Sequence, residues 1–525
     1  MAATPREHPR SVIVVGAGSA GSVIARRLAD EGIAVTVLEA GGEDANPAIH
    51  DPSRMGELWH GADDWDYFTV PQPGAGDRRL HLPRGKVLGG SHALNAMIWV
   101  RCAPADFDHW AALGNEGWAW RDVLPIYRAI ERYSGGASEL RGDSGLLDVG
   151  DDYPLDPIQN SIIAAAVEEG LEHNPDYNGD HLDGVSQEQV TIRGGARLNT
   201  YLAYLKPVRD RVDVRVGCHV HRLLLDDGPN GPRATGVVFE QGGELHELRA
   251  DEVVLAAGAI DSPRILLRSG IGPADELAAV GIDAIVDLPG VGRNLHDHLL
   301  APVIFTTDRE VGPPRAGVSV TQSHLFWRSY PGLDVPDTQP IHFSVPMYVE
   351  DQTGPADGFS LLAGIVSPKS RGSIRLSGAG PHDPLLIDLG ALEHDDDMRS
   401  LVASVLQCRR IGRQPALAGE WGAVELYPGP NVADDDVEQY VRSTAITYHH
   451  QVGTCAMGIG PEAVVDPQLR VHGVDRLRVA DASIMPRITT GNTNAPAVLI
   501  GEQAARFILA PDVTRMPAAT ALAGE

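Results

Sequence analysis

Cysteine is scarce in this chain. Cys102, Cys218, Cys408 and Cys455 stand far apart, with no Cys-x-x-Cys and no metal-ligand spacing. That excludes a disulfide framework and a cysteine-built metal site, and reads as reduced thiols in a cytoplasmic protein. Basic charge is also short: 43 Lys and Arg face 71 Asp and Glu, a formal net charge of −28. A nucleic-acid or anionic-membrane partner needs a basic face, so neither is expected. No run approaches the roughly 18 apolar residues of a membrane span, and the opening MAATPREHPRSVIVVG lacks the apolar core of a signal peptide. No internal repeat is present, and oligomeric state leaves no readable mark.

What is present is an ordinary globular composition, 43% hydrophobic and 22% charged over 525 residues, enough for two domains or more. SVIVVGAGSAGSVIARRLADEGIAVTVLEAGG, near the start, reads as strand, tight turn, helix and strand. Val12–Val15 is a continuous apolar run, as a parallel strand buried on both faces requires. Gly16, Gly18 and Gly21 follow as G-x-G-x-x-G at the strand-to-helix corner. The first permits the turn, the second admits a pyrophosphate, and the third lets helix and strand pack closely. The helix beginning near Ser19 offers its N–H groups and positive dipole end to that pyrophosphate. Gly32 stands where a helix C-cap belongs. Glu39, followed by Ala40, ends the second strand 18 residues after Gly21 and would hold ribose hydroxyls. This is a dinucleotide site, and by itself it does not separate FAD from NAD.

Four later segments decide between them. RGKVLGGSHALNAMIWVR carries Arg84, Val87, Gly89, Gly90 and Asn95; GAIDSPRILLRSGIG follows Ala257; PGVGRNLHDH precedes Leu300; and LRVADASIMP carries Asp481 and Ala482. With the N-terminal fingerprint, this ordered set resembles the glucose-methanol-choline (GMC) oxidoreductases, in the choline oxidase and dehydrogenase branch, over about residues 11 to 508. The resemblance implies FAD, an α/β (α+β overall) architecture with a Rossmann-like FAD-binding domain, and a substrate domain built on an antiparallel sheet. It implies a discontinuous FAD-binding domain at 1–152, 190–299 and 448–511, a substrate domain at 153–189 and 300–447, and a loose tail at 512–525. Val220 is assigned to the cofactor side on the same ground. Gly89 and Gly90 would let backbone lie against the flat flavin ring. Ser262-Pro263 reads as a cap-then-proline helix start. Relatives that bind FAD covalently do so through a histidine that aligns with Leu94, two positions after His92, so non-covalent FAD is expected.

In this family a histidine stands three residues before Gly-Thr, which selects His450 rather than His449 in ITYHHQVGTCAMG. A second histidine or asparagine stands six after the proline of ASIMP, which selects Asn492. A neutral imidazole can take a hydroxyl proton, and an amide can hold the substrate oxygen. His449 is expected to flank the substrate pocket, turned from the flavin. Asn494 and Pro496 would pass under its pyrimidine end. QPIHFSVPMYV and GSIRLSG suggest the pocket sheet, with His342 as a substrate contact; EHDDDMRS and ADDDVEQY read as solvated helix starts.

Choline-specific relatives carry a carboxylate where this chain has Leu300, and an apolar residue leaves a buried cation without a partner. A neutral primary alcohol or polyol is the expected substrate. Molecular oxygen is the favoured acceptor, which makes an oxidase; a dehydrogenase using another acceptor and a non-redox hydroxynitrile lyase on the same fold are the alternatives.

Overall fold

The computed structural model describes residues 10–229 and 231–510; the tail expected at 512–525 lies outside them. A five-stranded parallel sheet runs in the order Asp213–Arg215, Ala34–Leu38, Ser11–Val15, Glu252–Leu255, Leu477–Val479. The first strand is central, which is why its valines are apolar on both sides: Val12, Ile13, Val14 and Val15 are all buried. Helix Ser19–Asp30 buries Val23, Ile24 and Leu28 and stops at Glu31, with Gly32 at φ +77 just beyond. Helix Asn494–Leu509, late in the chain, packs on this first one. A Cβ on its Gly501 would come within 2.7 Å of the Ala20 carbonyl, and Glu502 pairs with Arg27 at 2.8 Å.

Helix Gly258–Arg268 corrects the expected start at Ser262-Pro263, because Pro263 lies inside it. Proline has no N–H for the carbonyl four residues back. Thr454 fills that place, its Oγ1 donating to Ala259 O at 2.6 Å.

A seven-stranded, antiparallel sheet stands opposite. Its order is Val424–Tyr427, Leu299–Thr306, Phe359–Ile365, Ile341–Phe343, Thr321–Phe326 and Gly184–Gln187, with Ile446–Thr447 also paired to Leu299–Thr306. Helix Asp395–Gly412 packs on one side of it. Register sets the other: Leu300 pairs with Gly364, Ile341 with Leu362, and Phe343 with Ser360, so Leu300, Ile341, Phe343 and Leu362 share a face. Of the two runs expected in this sheet, only Ile341–Phe343 belongs; Ser373–Leu376 forms a separate hairpin with Leu385–Asp388. The acidic start of Asp395–Gly412 is not wholly solvated either. Asp397 is buried, and its carboxylate accepts the N–H groups of Lys369 at 2.8 Å and Ser370 at 2.9 Å. Among the described residues no helix is long and apolar enough to cross a membrane.

A Cβ at Gly21 would lie 2.0 Å from the Gly16 carbonyl, whereas one at Gly32 meets nothing within 4 Å. Gly21→Ala is therefore expected to disrupt folding of the corner. Gly32→Ala should cost only about 1–2 kcal/mol for its left-handed backbone. Thermal denaturation of the two variants side by side checks the contrast.

Candidate active site

One cavity runs from the carboxyl ends of the parallel strands to the antiparallel sheet. At its first end, helix Ser19–Asp30 begins at Gly18 with no side-chain cap, leaving its first N–H groups open. Helix Asn494–Leu509 begins at Thr493, likewise without a side-chain cap. The two starts are tied together by Asn494 Nδ2 donating to Ser19 Oγ at 2.9 Å. Gly16, Gly18, Ser19 and Asn494 all line the cavity. Such paired helix starts suit an anion such as a pyrophosphate.

Glu39 and Ala40 line it at the end of the second strand, with Val220 beside them. The Glu39 carboxylate accepts Ala17 N and Gly41 N, both at 2.9 Å. Burial pushes its pKa up to about 7, against those hydrogen bonds. Across from it stand Ala257, Asp481 and Ala482. Asp481 accepts Gly258 N at 2.9 Å and Ser262 Oγ at 2.5 Å, which fixes the start of helix Gly258–Arg268.

Over the corner lies the segment from Arg84 to Asn95. Arg84, Gly90 and Asn95 line the cavity. Gly90 faces Gly18 so closely that a Cβ on it would come 2.8 Å from Gly18 Cα. Gly89 does not line the cavity: its N–H bonds Ala17 O at 3.0 Å, and a Cβ there would strike Asn199 at 2.7 Å. Val87 is packed in a small core with Ala48 and Leu58. Gly21 is taken up by packing, and Pro496 lies inside its helix, between lining residues Asn494 and Ala497. His92 is held in the core, with Nε2 3.2 Å from Thr191 Oγ1 and Nδ1 accepting Thr200 N at 3.3 Å, while Leu94 lines the cavity. The bare glycine cradle, the uncapped helix starts and the strand-end carboxylate together fit a flavin dinucleotide.

At the other end a chain of hydrogen bonds crosses the wall. Gln339 Nε2 donates to Asn492 Oδ1 at 2.9 Å. This leaves the Asn492 amide N–H for His450 Nε2, 3.3 Å away. His450 Nδ1 lies 3.0 Å from His298 Nδ1. With Nε2 accepting, the neutral His450 ring carries its proton on Nδ1 and donates it to His298. His450 N is anchored on Asp297 at 2.7 Å, and Tyr448 stacks on the ring at 4.6 Å. Burial first, then the neighbouring His298, His449 and Arg84, holds the His450 pKa well below its usual value. The imidazole is thus kept neutral more firmly than its ordinary pKa near 6.5 suggests.

His449 lines the same cavity, as expected of a residue flanking the substrate pocket. It adopts φ +65, so the adjacent rings do not alternate as in a strand. Its ring meets Trp59 edge-on at 5.3 Å, and its carbonyl accepts from Arg84. His342 requires a correction: it does not line the cavity. Strand alternation sends Ile341 and Phe343 there and turns His342 to the opposite face, where Nδ1 pairs with Ser323 Oγ at 2.8 Å. Sequence reasoning missed Gln339 and the contact of His298 with His450. His298 closes the PGVGRNLHDH segment, a signal that could have found it; nothing local marked Gln339.

Family models for GMC oxidoreductase match residues 11–300 and 368–501. The chain belongs to the GMC oxidoreductase family. It is 38% identical over 528 residues to the oxygen-dependent choline dehydrogenase of Brucella ovis, covering 95% of each chain. It is 37% identical, with the same coverage, to that of Sinorhizobium medicae. Among solved structures, a pyridoxine 4-oxidase superposes with TM-score 0.88 at 35% identity, covering 94% of this chain and 98% of the other. A formate oxidase superposes with TM-score 0.86 at 26% identity, covering 96% and 99%. These place the GMC chain in the choline-dehydrogenase-like branch, whose members are FAD-dependent oxidoreductases acting on alcohols.

Gln339→Leu should free the Asn492 amide to turn. One net hydrogen bond is worth about 0.5–1.5 kcal/mol, so kcat/KM is expected to fall roughly 2–10-fold with flavin content unchanged. Steady-state kinetics on flavin-normalised enzyme checks it.

Proposed function

We propose that this protein oxidises a neutral primary alcohol, or a polyol, to the carbonyl with non-covalent FAD in the cytoplasm, and that oxygen is its final acceptor, giving hydrogen peroxide. The observation that carries the reading is His450 Nε2 standing 3.3 Å from the Asn492 amide nitrogen at the cavity wall. His450 takes the hydroxyl proton, while Asn492 holds the substrate oxygen through its amide and so aligns the carbon-bound hydrogen. Bound FAD supplies the acceptor for the hydride at N5. Residues 1–152, 190–299 and 448–511 would hold the cofactor, and 153–189 with 300–447 the substrate. Oxygen as acceptor is favoured because curated relatives are called oxygen-dependent and a solved neighbour is called an oxidase.

Pocket chemistry supports an uncharged substrate. Leu300, Ile341, Phe343, Met347, Leu362 and Ile446 line this end. The lining carboxylates are elsewhere: Glu39 is bonded to the glycine turn, Asp261 to Tyr67, and Asp481 to Ser262. A quaternary ammonium group would find no counter-ion among the described lining residues here, so choline is expected to be a poorer substrate than an apolar or aromatic primary alcohol.

Anaerobic mixing with a panel of alcohols, followed by air, tests the reading. An uncharged alcohol should bleach the flavin faster than choline, with colour and peroxide returning quickly in air. Slow return would make it a dehydrogenase, and a reducible flavin that no alcohol bleaches would overturn alcohol oxidation. His450→Ala should keep FAD and lose about 10²–10⁴ in turnover, whereas His449→Ala should lose much less. The sign of the pH effect follows from burial. Because the imidazole resists protonation, lowering pH to the usual histidine range leaves it able to accept. The acid limb of kcat/KM for His450 should therefore lie below pH ~6.5, the ordinary histidine value.

A further inference from the structure

A second cluster stands just outside the cavity wall. The His60 and His81 rings stack at 3.9 Å between centroids, with their planes 23° apart. His60 Nδ1 lies 2.7 Å from Asp66 Oδ1, and His81 Nε2 lies 3.0 Å from the same oxygen. Asp64 Oδ2 is 3.4 Å from His81 Nε2, and its side chain has no solvent exposure. His81 Nε2 is itself shut from solvent without a well-aligned hydrogen-bond partner. One carboxylate oxygen thus faces two ring nitrogens.

We propose that His60, Asp66 and His81, with Asp64 as fourth ligand, bind a divalent first-row transition metal ion of the zinc class. Metal–ligand bonds of about 2.0–2.1 Å in a tetrahedron put neighbouring ligand atoms roughly 3.3–3.4 Å apart. Three of the six edges, at 2.7, 3.0 and 3.4 Å, lie near that length, and the exposed His60 ring would turn out of its stack on His81 so that both nitrogen lone pairs meet the ion. Two neutral imidazoles and two carboxylates balance a doubly charged cation, and mixed nitrogen and oxygen donors suit this class. Asp64 is held in place by backbone donors: Oδ1 accepts Asp66 N at 3.0 Å and Arg84 N at 2.9 Å, and Oδ2, which would keep a lone pair for the ion, accepts His60 N at 3.1 Å. His60 and Asp66 both hold left-handed backbone, at φ 57 and φ 55, a conformation kept where surrounding structure demands it.

The site would act on the active cavity without joining its chemistry. Trp59 and Trp65 bracket the metal-binding turn and line the cavity, as does Arg84. Trp59 also meets His449. A metal ion here pins the turn that carries both indoles. Another triad, His221, Glu240 and His382, offers a single carboxylate and lies beside the cation of Arg268, so it is the poorer site.

The test uses full-length flavin-loaded protein without an affinity tag, dialysed against a chelator and titrated with Co²⁺, then with Zn²⁺. Uptake of about one Co²⁺ per chain with visible absorption, displaced by Zn²⁺, is expected. His81→Ala and Asp66→Asn should abolish the absorption at unchanged flavin content, and His382→Ala should leave it intact. His60→Gln, at a more exposed position, should also lose it and serves if His81→Ala does not fold. Absence of saturable uptake, uptake untouched by these substitutions, or uptake lost in His382→Ala overturns the proposal.

Discussion

Backbone meeting backbone without side chains between is the constraint on which the rest of the structure depends. A Cβ on Gly90 would come 2.8 Å from Gly18 Cα, one on Gly85 would come 2.2 Å from the carbonyl carbon of Gly90, and one on Gly41 would come 1.8 Å from the Lys86 carbonyl. These contacts lay the segment 84–95 directly on the corner of the parallel sheet. Arg84 and Asn95 reach the cavity because that segment can descend so far. Any side chain at the crossing would lift the cover and widen the slot that a flat ring needs.

The two sheets share one apolar core, and at the reacting end polar groups join them as well. Gln339 belongs to the chain entering the antiparallel sheet, Asn492 to the turn before the helix Asn494–Leu509, and His450 to the turn after Ile446–Thr447. Their hydrogen bonds form one line, and burial leaves each few alternative partners. In such surroundings a satisfied network is rigid, and loss of one member is felt by the others. The orientation of a single amide is set from the substrate side and read by an imidazole on the other.

Much of the cofactor end was legible in the sequence because its signals are local. Gly16, Gly18, Gly21 and Glu39 sit at fixed offsets along one strand-turn-helix-strand, and the structure forms that unit. Counting from Gly453-Thr454 and from Pro486 brought His450 and Asn492 forward as a pair, and the fold sets them 3.3 Å apart. Legibility failed where tertiary pairing decides. His342 and Ile341 are neighbours in sequence, yet only register reveals which one meets the cavity. Pro263 looked like a helix start because the hydroxyl that replaces its missing hydrogen bond is Thr454, 195 residues from the carbonyl it serves. Gln339 carries no motif, and its partner lies 153 residues away.

The packing of helix Asn494–Leu509 on helix Ser19–Asp30 also has a consequence for how the protein comes into being. The glycine-rich turn leaves the ribosome well ahead of its packing partner: Ser19 precedes the Asn494 side chain that reaches it by 475 residues. The outer strand Leu477–Val479 is made almost as late. Until helix Asn494–Leu509 has been made, the first helix has no Gly501 to receive Ala20 and no Glu502 to answer Arg27. The corner around Gly18 therefore waits, half-packed, for a surface encoded far downstream.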